Sequence, residues 1–212
     1  MFRNTTIPQS APQTAPFAQG GLILGITGGS GSGKTTLLNL IRDAGGLVMD
    51  CDAIYHNLLQ TDGSLLAAIE NRFPGTVENS VLNRKKLGAI VFADEAALLD
   101  LNTITHGAVK QEVLQQLETK PKLAAIDAIA LVESGLAELC DLTVAIIAPA
   151  EQRIARLMAR DGISEAYARS RIAAQHSDDW FRRHCDFILE NAGDTTAYTE
   201  NCLAFLREQG IM

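Results

Sequence analysis

The feature that most constrains the fold is an apolar run that leads into a glycine-rich loop. Residues Leu22 to Ile26 are apolar, and Gly28-x-x-x-x-Gly33-Lys34-Thr35 follows them almost directly. Glycines at this spacing let successive backbone N–H groups curve around a phosphate, while the lysine ammonium reaches the outer phosphates. An amphipathic segment begins after the loop at about Leu37, which predicts a helix whose positive dipole end faces the same anion. The order of strand, loop and helix therefore predicts nucleotide binding.

The same loop supplies a hydroxyl for a metal ion that accompanies phosphates. Thr35 follows the lysine directly and can offer its side-chain oxygen to magnesium. The motif alone fits a kinase, a GTPase or a mechanical ATPase. The residues predicted to contact the nucleotide in this segment are Gly29, Ser30, Gly31, Ser32, Gly33, Lys34, Thr35 and Thr36.

Length and charge exclude several other functions. The chain has 212 residues, 47% of them hydrophobic, which suffices for one sizeable core or for a core with small inserted subdomains. Its net charge of -7 argues against a nucleic-acid partner, because such a surface needs clustered excess Lys and Arg. Small anionic ligands need only local positive charge and remain compatible with this balance.

Cysteine usage and the lack of targeting signals favour a cytoplasmic location. Cys51, Cys140, Cys185 and Cys202 form no C-x-x-C pair, so we expect reduced thiols rather than a zinc site or disulfides. No apolar run approaches the roughly 18 residues that a membrane helix needs, so no membrane association is expected. Residues 1–20 lack the basic start and apolar stretch of a signal peptide, and their Pro, Gln, Thr and Ser content predicts a disordered tail.

Short apolar runs recur along the chain with helical patterns between them. This alternation predicts an α/β fold with a parallel sheet of five strands flanked by helices. The segment 53–120 has helical spacing and no convincing strand, so we expect a helical insertion, with residues 62–82 forming turns around a short helix. Asp94 is the expected N-cap of a long helix that runs to about Glu118. The apolar runs are Leu22 to Ile26, Leu47 to Met49, Leu123 to Ile126, Leu142 to Ala148 and Phe187 to Leu189.

Acidic residues follow two of these runs. Asp50-Cys51-Asp52 ends the second run, and the carboxyl ends of parallel strands line the ligand crevice of such sheets. One of these carboxylates can accept the proton of an attacking hydroxyl and the other can hold a magnesium-bound water. Alternatively, they cap the helix that begins near Ala53. Asp127 ends the third run and resembles the acidic residue near the metal in phosphate-loop proteins, with Glu133 shortly after it.

Arginines cluster on one predicted helix in the last third of the chain. Arg153, Arg156 and Arg160 are three and four residues apart and share a helical face. Guanidinium groups match the oxygens of a transferring phosphoryl group, so a hinged segment that carries arginines suits a lid. Solvated surface arginines are the alternative, and the phosphate loop favours at least one phosphate contact over it.

The four histidines show no spacing typical of metal ligands. His56 and His106 are candidates for a substrate cleft. His176 and His184 are expected to lie at the surface or to pack, and Trp180 is expected to cover an edge of the core.

Taken in order, these motifs resemble the dephospho-coenzyme A kinase family over roughly Leu22 to Gly193. No single piece is specific to that family, whereas their combination and order are. The matching pieces are Gly25 to Thr36, Asp50-Cys51-Asp52, Leu82 to Leu87 with Ile90 to Phe92, Thr105-His106, Glu133 to Leu136, Arg156 to Gly162, Arg171 to Gln175 and Asp186 to Asn191.

The resemblance implies a kinase that uses ATP to phosphorylate the ribose 3'-hydroxyl of 3'-dephospho-CoA in the last step of coenzyme A synthesis. It implies that Asp52 takes the hydroxyl proton, and that Lys34 and Arg160 stabilise the transferring phosphoryl group. ATP and Mg2+ are the implied cofactors, with Thr35 and Asp127 at the metal. Further implied nucleotide contacts are Arg156 and Asn191. The implied acceptor contacts are Asp52, His56, Arg84, His106 and Glu133.

The resemblance also implies an architecture like that of nucleoside monophosphate kinases. A three-layer P-loop kinase core would comprise residues 21–52, 121–150 and 176–212. The helical substrate-binding insertion, which binds CoA, would comprise residues 53–120, and the helical lid residues 151–175. We expect a monomer or a weak homo-oligomer.

The sequence departs from the family pattern in three places. Cys51 replaces alanine between the two acids, Gly107 replaces the usual proline after His106, and Ile129 to Val132 replaces a typical Pro-Leu-Leu-Phe. Cys51 spares both acids, whereas the other two changes concern the acceptor pocket, so a P-loop kinase acting on another nucleoside or nucleotide is the alternative. A regulatory GTPase would need an Asn-Lys-x-Asp motif, which the sequence lacks. A non-catalytic nucleotide-binding protein is disfavoured by the joint retention of Lys34, Thr35, Asp52 and Arg160.

Overall fold

The computed structural model describes residues 21–212, and the predicted disordered tail of residues 1–20 lies outside them. The strands are β1 (Leu22–Thr27), β2 (Leu47–Asp50), β3 (Val77–Glu78), β4 (Val81–Leu82), β5 (Leu123–Asp127), β6 (Leu142–Ile147) and β7 (Phe187–Glu190). The helices are α1 (Lys34–Asp43), α2 (Cys51–Thr61), α3 (Gly63–Arg72), α4 (Arg84–Val91), α5 (Glu95–Leu117), α6 (Ala150–Asp161), α7 (Glu165–Ala173), α8 (Asp178–His184) and α9 (Thr195–Glu208).

The described residues divide into two compact units. The first unit comprises residues 21–48 and Lys120–Met212, and the second comprises Met49–Thr119. The segment predicted to be a lid, residues 151–175, belongs to the first unit. Its function as a lid stays a prediction. Within residues 21–212, no helix is long and apolar enough to cross a membrane.

The main sheet is built around β1. Its strand order is β2-β5-β1-β6-β7, and β1 pairs in parallel with both β5 and β6, while β7 pairs in parallel with β6. Leu24 and Ile26 of β1 are completely buried, because a central strand of a parallel sheet is covered on both faces. The predicted α/β fold with a five-stranded sheet is therefore confirmed, and the loop after β1 lies at the centre of the sheet.

Two apolar clusters of the first unit fix the helices around that loop. Leu37 and Ile41, four residues apart on α1, pack with strand residues and with Phe205 of α9 in the larger cluster. Leu157 of α6 packs with Ala168 of α7 in a smaller one. Both leucines are fully buried, so α1 and α6 are anchored along their apolar faces.

The second unit is helical, as predicted, with α5 packed against α2, α3 and α4. Asp94 is the N-cap of α5, and its carboxylate accepts hydrogen bonds from the backbone N–H groups of Ala96 and Ala97. The prediction of this cap and of the end of the helix near Glu118 is confirmed.

The expectation that the insertion contains no strand is wrong. β3 and β4 form an antiparallel hairpin, joined by Asn79 and Ser80. Both residues have positive φ angles, 51° and 61°, as the central residues of a type I' turn require. Each strand is only two residues long, which is too short for an alternating hydrophobic pattern to develop.

Candidate active site

Lys34 folds back over the loop between β1 and α1. Its Nζ donates a hydrogen bond to the Gly28 carbonyl oxygen (3.2 Å) and lies 3.8 Å from Asp127 Oδ1. The lysine side chain is 15% exposed and the aspartate side chain 16%, so solvent screens this charge pair only partly. The structure thus brings together two residues that the sequence assigned separately, to phosphate and to metal binding.

The end of the loop requires a residue without a side chain. Gly33 has a φ of 104°, in the left-handed region, and a Cβ there would lie 2.2 Å from Asn191 Nδ2. Gly33 is also the N-cap of α1 and provides no capping side chain. No capping side chain therefore occupies the first N–H groups of α1, which are the kind of donors that bind anions at helix N-termini.

The helix after the loop begins earlier than predicted. α1 starts at Lys34 instead of about Leu37, because the polar residues of its first turn show no apolar periodicity in the sequence. Thr35 and Thr36 therefore lie in this first turn, and Thr35 is exposed. A threonine hydroxyl and the Asp127 carboxylate at the end of β5 are oxygen donors of the kind that Mg2+ takes together with substrate phosphates, so this donor set fits the metal.

Asn191 and Arg156 bind the carbonyl oxygens in the middle of the loop. Asn191 Nδ2 donates to the Ser32 carbonyl oxygen (2.8 Å), and its Oδ1 accepts from Arg156 Nη2 (3.2 Å). Arg156 Nη1 donates to the carbonyl oxygens of Gly31 (3.2 Å) and Ser32 (3.3 Å). Both side chains bind loop carbonyls, so neither of them occupies a loop N–H group.

Three residues that contact the loop were missed as site residues in the sequence. Tyr198 donates its hydroxyl to the Gly33 carbonyl oxygen (3.3 Å), and burial raises the pKa of this phenol. Arg153 and Gln175 bind Ser30, and Arg153 is only 6% exposed. Burial lowers the pKa of Arg153, and the nearby Asp178 charge opposes this shift. Two sequence features pointed to these residues. Arg153 shares a predicted helical face with Arg156, and Gln175 ends the segment Arg171 to Gln175 that resembles the family.

Arg160, the predicted catalytic arginine, is engaged elsewhere. Its Nε and Nη2 donate to the two carboxylate oxygens of Asp161 (2.6 and 3.0 Å), and 63% of its side chain is exposed. These hydrogen bonds lower the pKa of Asp161, which Arg171 also contacts at 3.0 Å. Its catalytic role stays a prediction.

Glu133 pairs with a histidine that the sequence assigned to the surface or to packing. Its Oε1 contacts His176 Nε2, and the His176 ring stacks on Trp180 with ring centroids 3.7 Å apart. His184 stacks on the same indole at 4.2 Å. Trp180 in turn packs against a buried cluster that contains Phe181, which confirms its predicted place at an edge of the core.

The acidic pair after β2 belongs to the second unit, and the structure separates the roles of its two residues. Asp50 is the N-cap of α2, since its Oδ1 accepts from the Ala53 N–H (3.0 Å). Asp52 is an exposed residue in the first turn of α2 and does not cap it. The capping alternative therefore applies to Asp50 alone.

Two of the predicted acceptor contacts meet within the second unit. Arg84, the first residue of α4, lies with Nη2 3.3 Å from His56 Nδ1 of α2. Burial raises the pKa of the neighbouring Tyr55, and the Arg84 charge opposes that shift. His106 lies half-buried on α5.

Comparison with known proteins places the chain in a family. The sequence profile of the dephospho-CoA kinase family matches residues 22–197. A curated dephospho-CoA kinase of Anaeromyxobacter dehalogenans is 38% identical over 177 residues, 81% of this chain and 84% of that protein. A curated dephospho-CoA kinase of Corynebacterium diphtheriae is 33% identical, with 81% and 88% covered.

A solved structure of a Thermus thermophilus protein is similar to this chain in both fold and sequence. It superposes with a TM-score of 0.78 at 30% identity, and the match covers 90% of this chain and 98% of that one. The family profile spans both the phosphate loop and the arginine helix described above. The chain belongs to the dephospho-CoA kinase family.

Proposed function

We propose that this protein transfers the γ-phosphoryl group of ATP to the ribose 3'-hydroxyl of 3'-dephospho-CoA, giving CoA and ADP. The observation that carries the proposal is the family match over residues 22–197, which includes a phosphate loop whose lysine and carbonyl-binding side chains are all in place. This reaction is the last step of coenzyme A biosynthesis.

For the donor, we assign the phosphates to the loop and to the first turn of α1. Within Gly29 to Thr36, N–H groups other than that of Ser30, which Gln175 holds, would bind the phosphate oxygens, with Lys34 Nζ at the outer phosphates. Arg156 and Asn191 would contribute indirectly, because their hydrogen bonds to the loop carbonyl oxygens would keep these oxygens turned away from the anion. Thr35 and Asp127 would hold Mg2+, which neutralises phosphate charge when bound.

For the chemical step, we assign Asp52 as the general base. As the 3'-oxygen bonds to the γ-phosphorus, the bond from that phosphorus to the bridging oxygen of ADP breaks, and the hydroxyl proton passes to the Asp52 carboxylate. The exposure of Asp52 and its independence from the helix cap support this role. Lys34 and Arg160 would stabilise the charge on the transferring group.

For the acceptor, we assign contacts to His56, Arg84, His106 and Glu133. The hydrogen-bonded pair of Arg84 and His56 supports this assignment, because a guanidinium held by a neighbour is well suited to an anionic substrate. Residues 53–120 would form the substrate-binding domain and residues 151–175 the lid. The net charge of -7 supports a small-molecule substrate without a nucleic-acid partner. We further propose a cytoplasmic monomer or weak homo-oligomer.

The test is ADP release with ATP and Mg2+, with 3'-dephospho-CoA offered beside adenosine, uridine and common nucleoside monophosphates. We expect turnover with 3'-dephospho-CoA alone, and a product whose new phosphate is on the 3'-oxygen by phosphorus NMR. Turnover with a different acceptor only would overturn the assigned acceptor and point to Gly107 and Ile129 to Val132 as the cause.

A further inference from the structure

Ser30 in the phosphate loop has every one of its polar atoms bound by two side chains. Its backbone N–H donates to Gln175 Oε1 (3.0 Å), and its hydroxyl oxygen accepts from Gln175 Nε2 (2.8 Å). Its carbonyl oxygen accepts from Arg153 Nε (3.0 Å). Because Ser30 is only 7% exposed, these contacts are made largely out of reach of solvent.

The two side chains that hold Ser30 also bind each other. Arg153 Nη2 donates to Gln175 Oε1 at 2.6 Å, so the amide oxygen serves two donors at once. Both groups lie tightly against the loop, since a Cβ on Gly29 would be 2.1 Å from Arg153 Nη2 and 2.8 Å from Gln175 Oε1. The loop, the guanidinium and the amide thus form one packed arrangement.

Gln175 is itself held in place from two directions. Its backbone N–H donates to the Ile172 carbonyl oxygen at the end of α7 (3.1 Å). The next residue, His176, pairs with Glu133 and stacks on Trp180. The segment that carries the amide is therefore fastened both to α7 and to the chain that follows β5.

We propose that Gln175 is a positioning residue for nucleotide binding, which with Arg153 keeps the phosphate loop in its binding shape. The inference rests on the proposed use of a nucleotide by this loop. Donors that are already oriented bind an anion without an ordering cost, whereas a released loop must be ordered during binding and loses affinity. Gln175 acts through Ser30 and does not need to touch the phosphates.

The same contacts also fit an opposite role for Gln175, as a competitor of the nucleotide. The two roles predict opposite changes in nucleotide affinity when the amide is removed. Gln175 Oε1 on the Ser30 N–H could stand in for a phosphate oxygen, in which case removing the amide would tighten nucleotide binding. The second bond to the Ser30 hydroxyl and the shared bond with Arg153 favour positioning. If a phosphate displaced the Gln175 amide, the buried Arg153 guanidinium would lose one of its hydrogen-bond acceptors, which is unfavourable.

The experiment compares the full chain with the variants Gln175→Met and Gln175→Ala. Methionine keeps the length of the side chain but provides neither the amide N–H nor the carbonyl oxygen, so it separates hydrogen bonding from packing. Gln116→Ala is the matched control, because Gln116 is also half-buried and hydrogen-bonded, to Glu112 in the second unit. Calorimetric titration with ATP and Mg2+ gives Kd without any turnover, and Trp180 fluorescence checks that each variant is folded.

We expect Kd for ATP to rise about tenfold in both Gln175 variants and to stay unchanged in Gln116→Ala. In the kinase assay, KM for ATP should rise while KM for the acceptor does not, a split that a mere loss of folded protein would not produce. Wild-type affinity in Gln175→Met, or tighter binding in either variant, would overturn the inference.

Failure of the proposed function gives a different result. If the wild type binds ATP but phosphorylates no 3'-dephospho-CoA, the acceptor assignment fails, and the difference in Kd between wild type and Gln175 variants still decides the role of Gln175. If the wild type does not bind ATP, both proposals are overturned.

Discussion

Replacing Asn191 by alanine should destabilise the first unit and weaken nucleotide binding together. Asn191 is 5% exposed, and its side chain makes two hydrogen bonds: it donates one to the Ser32 carbonyl oxygen and accepts one from the charged Arg156. A buried neutral hydrogen bond is worth about 1 kcal/mol and one to a charged group about 1.5–3 kcal/mol, so we expect a loss of about 2–4 kcal/mol. Arg156 is half-buried, which favours the lower part of this range.

A second asparagine provides the control. Asn39 on α1 also accepts a hydrogen bond from an arginine, Arg42 (2.7 Å), but both residues are exposed. Asn39→Ala removes the same kind of contact where water replaces it, and alanine favours the helix, so the change in unfolding free energy should stay within about 0.5 kcal/mol. Asn39→Ala therefore measures the loss of an asparagine–arginine contact at an exposed position.

The assay is urea unfolding followed by the fluorescence of Trp180, the only tryptophan of the chain, which lies in the first unit with Asn191. We expect a large fall in the unfolding midpoint for Asn191→Ala alone. Below the unfolding transition, KM for ATP should rise about tenfold, since the Ser32 carbonyl oxygen loses its shorter hydrogen bond and keeps only the 3.3 Å one from Arg156. Equal small effects of both substitutions would refute the reasoning, because burial would then not determine the value of the contact.

The proposed base, the loop lysine and two buried thiols each give a further prediction. Asp52→Asn should lower kcat about 100-fold or more while Kd for ATP is retained, because only the proton acceptor is lost; near-normal turnover would remove Asp52 from the base role. Lys34→Ala should lower kcat about 100-fold or more with a nearly unchanged urea midpoint, and an unfolded variant with full activity per folded molecule would contradict this. Burial raises the pKa of the Cys140 thiol to about 12 and of the Cys185 thiol to about 11. Since thiolate forms only near or above the pKa, iodoacetamide at pH 8 should leave both unlabelled in native protein and label both in urea, as mass spectrometry would show.

Regular elements with a complete hydrophobic pattern could be predicted from the sequence. β1, β5 and β6 are mostly apolar because both faces of the sheet are covered, and each begins at the residue where its apolar run begins. The hairpin of β3 and β4 could not be predicted, because two residues per strand carry no periodicity. The sequence signal for this hairpin was its turn, Asn79 and Ser80. That signal is weak, because serine uncommonly adopts a positive φ angle.

The acidic pair shows how local chemistry limits a prediction. An aspartate after a strand suits both a helix cap and a catalytic base, and the sequence gives Asp50 and Asp52 equal claims to either role. A cap is decided by one hydrogen bond that the carboxylate accepts from a backbone N–H three residues later, as Asp50 does from Ala53. Assigning the cap to Asp50 leaves the carboxylate of Asp52 available for the proposed proton transfer.

The arginine helix α6 shows why arginines predicted to share one helical face have different roles. Arg153 and Arg156 directly precede Ile154 and Leu157, the buried residues that anchor α6, so both guanidinium groups flank the packed face and reach the loop carbonyls. Arg160 lies in the last turn, beyond that face, and extends into solvent toward Asp161. The arginines that hold the loop must stay in place during the reaction, whereas one tied only to an exposed carboxylate can exchange that partner for a phosphoryl group at little cost. The docking of the apolar stripe, which is a tertiary contact, therefore divides one helix between shaping the loop and the proposed catalysis.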